Sequence, residues 1–138
     1  MIDKVLTDPA TQTLIKSLDL RAKNQNFIAA NIANAETPGY SAVKFQFEEA
    51  LAAAVGGQQQ GLALATTNPG HIAAGAQAIA DVDGTTTEVR DNTGIGDKNS
   101  VDVDGEMLDL SKNELMFETS AQLLQKKMGL LRYVIAGQ

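Results

Sequence analysis

The sequence predicts a mainly α protein, with long N- and C-terminal helices packed as a coiled coil and a small irregular or β-hairpin region between them. Three observations predict this. Apolar residues recur at steps of three and four over residues 11–35 and again, more regularly, over residues 107–135, which is the period of one helix face. The intervening stretch, residues 45–105, holds nine of the twelve glycines, which interrupt regular elements rather than extend them. Aromatic residues are only 4% of the chain and Trp is absent, so Ala, Leu, Ile and Met must build most of any core. Such a core suits helices in contact better than a thick sandwich.

The first helix is expected over residues 11–35. Leu14, Leu18, Gln25, Ile28 and Ile32 follow one face, with Arg21 filling the gap between Leu18 and Gln25. Leu20 and Phe27 form an adjacent row, and Ala22, Ala29, Ala30 and Ala33 keep the helix narrow. Pro38 drives Thr37 out of helical geometry, and Pro38-Gly39 signals a turn. In the middle, residues 47–55 read as a short helix ended by Gly56-Gly57. β-Leaning pieces at 62–67 and 85–90 are separated by Asn-Pro-Gly and Asp-Gly turns, enough for a hairpin without an independent core.

The last helix carries the strongest pattern. Met107, Leu110, Glu114, Phe117, Ala121, Leu124, Met128, Leu131 and Ile135 alternate steps of three and four, the narrow seam of a coiled coil that needs a partner along its length. Leu108, Leu115, Leu123, Leu130 and Val134 widen the apolar surface beyond what one neighbour covers. Asp102 or Asp104 is the expected N-cap, with Glu106 favourable in the first turn. Gln25 and Glu114 are the polar positions of the two seams, either exposed at a helix edge or selecting register. The chain thus divides into residues 1–44, 45–104 and 105–138.

Charge follows the same division. Residues 1–44 carry five Lys and Arg against four Asp and Glu, residues 45–104 two against nine, and residues 105–138 four of each. Nucleic acid is not an expected partner, because polyanion binding needs clustered positive charge. No stretch approaches the ~18 apolar residues of a membrane span, so no direct span is expected. Residues 1–8, with Asp3, Lys4 and Asp8, show no apolar core of a cleavable signal peptide. Without Cys there is no disulfide framework, thiolate site or Cys nucleophile.

No chemistry-bearing constellation stands out, so no enzyme, cofactor or metal site is expected. His71 is the only histidine and lacks an orienting partner or nucleophile in the sequence around it. Asp81-Val82-Asp83-Gly84 and Asp102-Val103-Asp104-Gly105 place glycine directly after the second aspartate, which breaks the calcium-loop register. Gly94-Ile95-Gly96-Asp97-Lys98 lacks P-loop spacing.

One string carries more information. After the first helix the chain reads Asn31-Ile32-Ala33-Asn34-Ala35-Glu36-Thr37-Pro38-Gly39-Tyr40. Asn34 suits a left-handed or capping conformation, Gly39 can take positive φ, and Tyr40 can fold back as an amphipathic anchor. An ordinary helix stop accounts for three or four of these residues. The whole string resembles the N-terminal signature of the flagellar rod and hook family, whose members combine it with a long C-terminal heptad helix. Residues 45–51 (FQFEEAL), 66–72 (TTNPGHI), 101–107 (VDVDGEM) and 112–114 (KNE) resemble its proximal-rod branch, as does the short middle region.

The resemblance implies a non-enzymatic structural subunit of the proximal rod of the bacterial flagellar basal body. Such a subunit polymerises through its terminal helices into the hollow drive shaft that crosses the periplasm. It implies type III export without a cleaved signal peptide, through an N-terminal region read uncleaved. The implied partners are further copies of itself, the rod proteins FlgC, FliE and FlgF, the export gate and the MS ring. Asn31, Ile32, Asn34, Thr37, Pro38, Gly39 and Tyr40 would be the motif, and Leu14, Leu18, Ile28, Ile32, Met107, Leu110, Phe117, Ala121, Leu124, Met128, Leu131 and Ile135 the assembly interface. Residues 1–30 and 110–138 are expected to order on assembly. Rival readings are another rod protein such as FlgC, or an exported coiled-coil effector or chaperone.

Overall fold

A computed structural model describes residues 8–59, 79–90 and 96–136. Helix α1 spans Pro9–Ala33, with Asp8 as N-cap and Pro9 at its first position, where a missing N–H costs nothing. Strand β1 is Ala42–Gln46, helix α2 Glu48–Gln59, a 3-10 turn Ile79–Asp81, strand β2 Thr85–Val89, and helix α3 Val103–Ala136. The two long helices and the short two-stranded sheet between them agree with the expected class.

The α1 and α3 helices pack antiparallel. Lys127 near the end of α3 pairs with Asp8 before the start of α1, while Asn113 reaches Asn24 at 3.3 Å. Asp102 immediately precedes α3, and its carbonyl accepts the Glu106 N–H at 2.8 Å. The expected start of α3 is therefore met at Asp102.

The middle region departs from expectation in two places. Residues 85–89 form a strand as anticipated, but the partner is β1, directly after the turn, paired antiparallel with Ala42 opposite Val89 and Gln46 opposite Thr85. The other β-leaning piece, 62–67, lies outside the described residues, as do His71 and Gly94-Ile95. Helix α2 continues through Gly56-Gly57 to Gln59. Glycine costs about 1 kcal/mol in a helix, and Glu48 and Glu49 in the first turn of α2 favour its N-terminus.

The middle region does build a core, and α1 supplies part of it. Leu20, Phe45, Phe47, Ala54, Ile79 and Val82 are buried together, with Phe27, Ala50, Leu51 and Val55 packed around them. The Phe45 ring stacks on Phe27 at 5.3 Å and meets Phe47 at 5.6 Å. Three of the four phenylalanines are thus concentrated here. Gly84 is required by this packing: a Cβ there would lie 2.2 Å from Phe45 Cζ. Lys23 and Arg21 lie over Phe45 and Phe47 at 5.1 and 5.4 Å, joining the core to the charged edge of α1.

Candidate assembly site

The signature turn is held by side chains that bond backbone. Asn31 is fully buried. Its Nδ2 donates to the Val43 carbonyl at 2.9 Å and its Oδ1 accepts the Val43 N–H at 2.9 Å. The carboxamide therefore pairs with β1 on the edge away from β2, as a neighbouring strand would. Tyr40 folds back and donates its hydroxyl to the same Oδ1 at 3.3 Å.

Helix α1 ends at Asn34, four residues before Pro38. The Asn34 side chain donates to the Ala30 carbonyl at 2.8 Å and accepts the Thr37 hydroxyl at 3.2 Å. The backbone of Asn34 is not left-handed, with φ −104°, whereas Gly39 has φ +74°, a conformation glycine adopts at no steric cost.

A segment far along the chain closes the turn. Asn99 donates through Nδ2 to the carbonyls of Asn34, Ala35 and Thr37 at 2.9, 2.9 and 2.8 Å. The Gly39 N–H donates to the Asp97 carbonyl at 2.7 Å, and the Ser100 N–H to the Tyr40 carbonyl at 3.1 Å. Ser100 Oγ accepts from the Ala42 N–H at 2.8 Å and donates to the Val89 carbonyl, bridging the end of the β1–β2 ladder. Sequence reading missed Asn99 and Ser100. An Asn-Ser pair in a glycine-rich loop looks like any turn, and only the fold brings it to the orphan carbonyls at the end of α1.

The α1–α3 contact is unusually polar in the first half of α3. Glu106 and Asn113 are 1% and 2% exposed, while Met107 is half-exposed and Glu114 exposed. The expected seam positions Met107 and Glu114 are thus displaced by their neighbours. Asn113 donates to the Arg21 carbonyl at 2.9 Å and accepts from Asn24, so register is read by an Asn–Asn pair. Lys44 sits 2.8 Å from both Glu106 and Asp109. Burial opposes its charge, but the two carboxylates outweigh that and hold its pKa above the usual value.

From Leu110 onward α3 follows the anticipated seam. Leu110, Phe117, Ala121, Leu124, Met128 and Leu131 are all half-buried. Ile135 shares their face but is 65% exposed, lying beyond the Asp8–Lys127 pair. On α1, Ile28 is buried and Leu14, Leu18 and Ile32 are half-buried. The opposite side of α3 is apolar and open: Leu108, Leu115, Leu123, Leu130 and Val134 are 56, 64, 50, 67 and 74% exposed. Among the described residues, no helix is long and apolar enough to cross a membrane, and no group of His, Cys, Asp and Glu gathers at metal-binding distance.

Comparison with known proteins gives this geometry a context. Residues 12–40, from α1 through Tyr40, match the family model for flagella basal body rod proteins. The chain is 34% identical over 140 aligned positions to the flagellar basal body rod protein FlgB of Salmonella typhimurium, covering 99% of both. It belongs to the FlgB family of flagellar basal body rod proteins. The FlgB proteins of Aeromonas hydrophila (34% identity, 88% of this chain and 89% of that one) and Cereibacter sphaeroides (33%, 89% and 91%) are similar along most of their length.

As a member of the FlgB family the chain is a structural flagellar rod protein of the basal body, not an enzyme. Its interactions are with other rod components. The matched segment of this FlgB-family chain coincides with the α1–turn unit that Asn31 fastens to β1.

Proposed function

We propose that this chain is a subunit of the proximal rod that polymerises through α1 and α3 into the hollow drive shaft crossing the periplasm. The observation that carries the reading is the open leucine face of α3. In this chain the helix contact facing α1 buries Glu106 and Asn113 and leaves four leucines outward. A long helix whose fully buried side chains are polar and which keeps apolar surface exposed is built to gain most of its burial from neighbours.

Export by the flagellar type III apparatus, without a cleaved signal peptide, accompanies this reading. So do contacts with FlgC, FliE, FlgF, the export gate and the MS ring. Leu14, Leu18, Ile28 and Ile32 of α1 and Leu110, Phe117, Ala121, Leu124, Met128 and Leu131 of α3 would hold the helix pair that enters the assembly. Met107 and Ile135, both exposed, would be covered on assembly. Because Leu20 and Ile28 anchor α1 in the chain's own interior, the element with most to gain from ordering is α3 beyond Leu110.

Fractionation of cells tests the proposal. The chain should copurify stoichiometrically with detergent-resistant hook–basal bodies, and its deletion should abolish motility. Recovery only in the soluble fraction, with motility intact, would instead indicate an exported effector or a chaperone.

A further inference from the structure

We infer that the outward face of α3 takes the outward face of α1 from a second copy of this chain, running antiparallel, so that copies join through unlike faces. This rests on the rod-subunit reading above and adds the register and the contact.

On α3 the outward row is Leu108, Leu115, Leu123 and Leu130, spaced seven, eight and seven, which keeps nearly to one line on a straight helix. Lys112 and Lys126 lie exposed in that row. Among the described residues neither forms an ion pair within the chain. On α1 the exposed side carries Ile15, Asp19, Ala22, Asn26, Ala29 and Ala33, and Asp19 likewise has no ion pair among the described residues. The two faces differ in charge and in relief: one is leucine-ridged and basic, the other shallow with a carboxylate.

Polarity follows from symmetry. Copies stacked by rotation about an axis along their helices keep a common direction. Since α1 and α3 are antiparallel within the chain, they are also antiparallel between copies. In the register that sets Lys126 opposite Asp19, Leu123 meets Ala22, Leu130 meets Ile15, and Leu115 falls at Ala29 and Ala30. Leu115, Leu123 and Leu130 thus each meet a small residue or an exposed apolar one, allowing close helix approach with ridges in grooves, while Leu108 lies beyond the end of α1 at Ala33. A contact between unlike faces does not close into a dimer; it propagates as a ring or a helical filament.

The absence of cysteine makes the test clean. Cells would carry the double substitution Ala22→Cys and Leu123→Cys, and hook–basal bodies would be isolated under mild oxidation. The expected result is a disulfide-linked ladder of dimers, trimers and higher species of this chain alone, since bridged Cα atoms need only approach ~4.4–6.8 Å. Ala22→Cys with Leu115→Cys, eight residues out of register, should give no ladder. Dimers from Leu123→Cys alone, cross-links to a different protein, or no cross-link in basal bodies that contain the chain would each overturn the inference while leaving the rod-subunit reading intact. Absence of the unsubstituted chain from basal bodies would instead remove both. Independently of cysteine, Lys126→Glu should reduce motility roughly tenfold in swim-plate expansion, the effect of like charges facing each other across a contact, and adding Asp19→Lys should restore it. Failure of that rescue, with both variants exported, would also overturn the inference.

Discussion

Asn31 and Val43 are joined by two 2.9 Å hydrogen bonds between one side-chain amide and one residue's backbone N–H and C=O. A helix residue thereby closes the outer edge of a strand that would otherwise have no partner there. Neither Gln, one methylene longer, nor Asp, which cannot donate, reproduces both bonds in place.

Asn31→Ala should therefore destabilise the chain by about 2–4 kcal/mol, since it leaves a buried N–H and C=O unpaired. Asn31→Asp should lose nearly as much. Urea unfolding of the purified chain checks this; a change in ΔG of less than about 0.5 kcal/mol would show that the amide is not what fastens β1.

Gly84→Ala should cost about 1–3 kcal/mol, because the added methyl must displace the Phe45 ring from its stack on Phe27. Near-ultraviolet circular dichroism should lose phenylalanine fine structure in step with the fall in stability. Unchanged spectra and stability would mean that the ring has room to move.

Asn99→Ala removes the donor to three carbonyls at once. The expected effect is faster amide exchange across residues 34–42 and a stability loss of about 1–3 kcal/mol, with α3 unaffected. Exchange confined to residues 96–100 would assign Asn99 a purely local role.

Leu124→Asp places a charge on the half-buried side of α3 and should abolish rod assembly while leaving synthesis intact. Immunoblots of whole cells and of purified basal bodies separate the two. Normal motility in this variant would remove α3 from the assembly contacts.

Two ion pairs predict opposite pH behaviour. Lys44 has a raised pKa, so the stabilisation from its charge is complete below the ordinary lysine value of ~10.4 and is lost as pH rises through its folded pKa. Asp83 has a lowered pKa, through the hydrogen bond from Lys23 and then that from the Gly84 N–H. Its contribution is present above ~3.9 and is lost as pH falls through the folded value. Lys44→Met should lower Tm at pH 7 and converge with the parent at strongly alkaline pH. Asp83→Asn should lower Tm slightly at pH 7 and converge in acid. Parallel Tm curves at all pH values would show that neither charge is engaged.

Helices α1 and α3 were readable because helical periodicity is local, and the Asn31–Tyr40 turn because its residue types are individually constrained. The β1–β2 pair was half-readable. Thr85–Val89 has strand composition, but Ala42–Gln46 becomes a strand only because Asn31 and β2 satisfy its two edges. Glu106 and Asn113 were hidden for a different reason. An apolar heptad marks where a helix wants burial, not which neighbour supplies it, so the hydrophobic pattern pointed to Met107 and Glu114. The polar residues one position earlier took the place against α1.

The reach of Asn99 has a consequence for timing. A chain that emerges N-terminus first, from a ribosome or a narrow conduit, presents residues 34–37 more than sixty positions before their latch. The Asn113–Arg21 and Lys127–Asp8 closures are separated by 92 and 119 positions. The subunit therefore locks in stages as it comes out: the Asn31–Val43 bonds span only 12 positions, each longer clasp waits for progressively later sequence, and the last closes only when almost the whole chain is free.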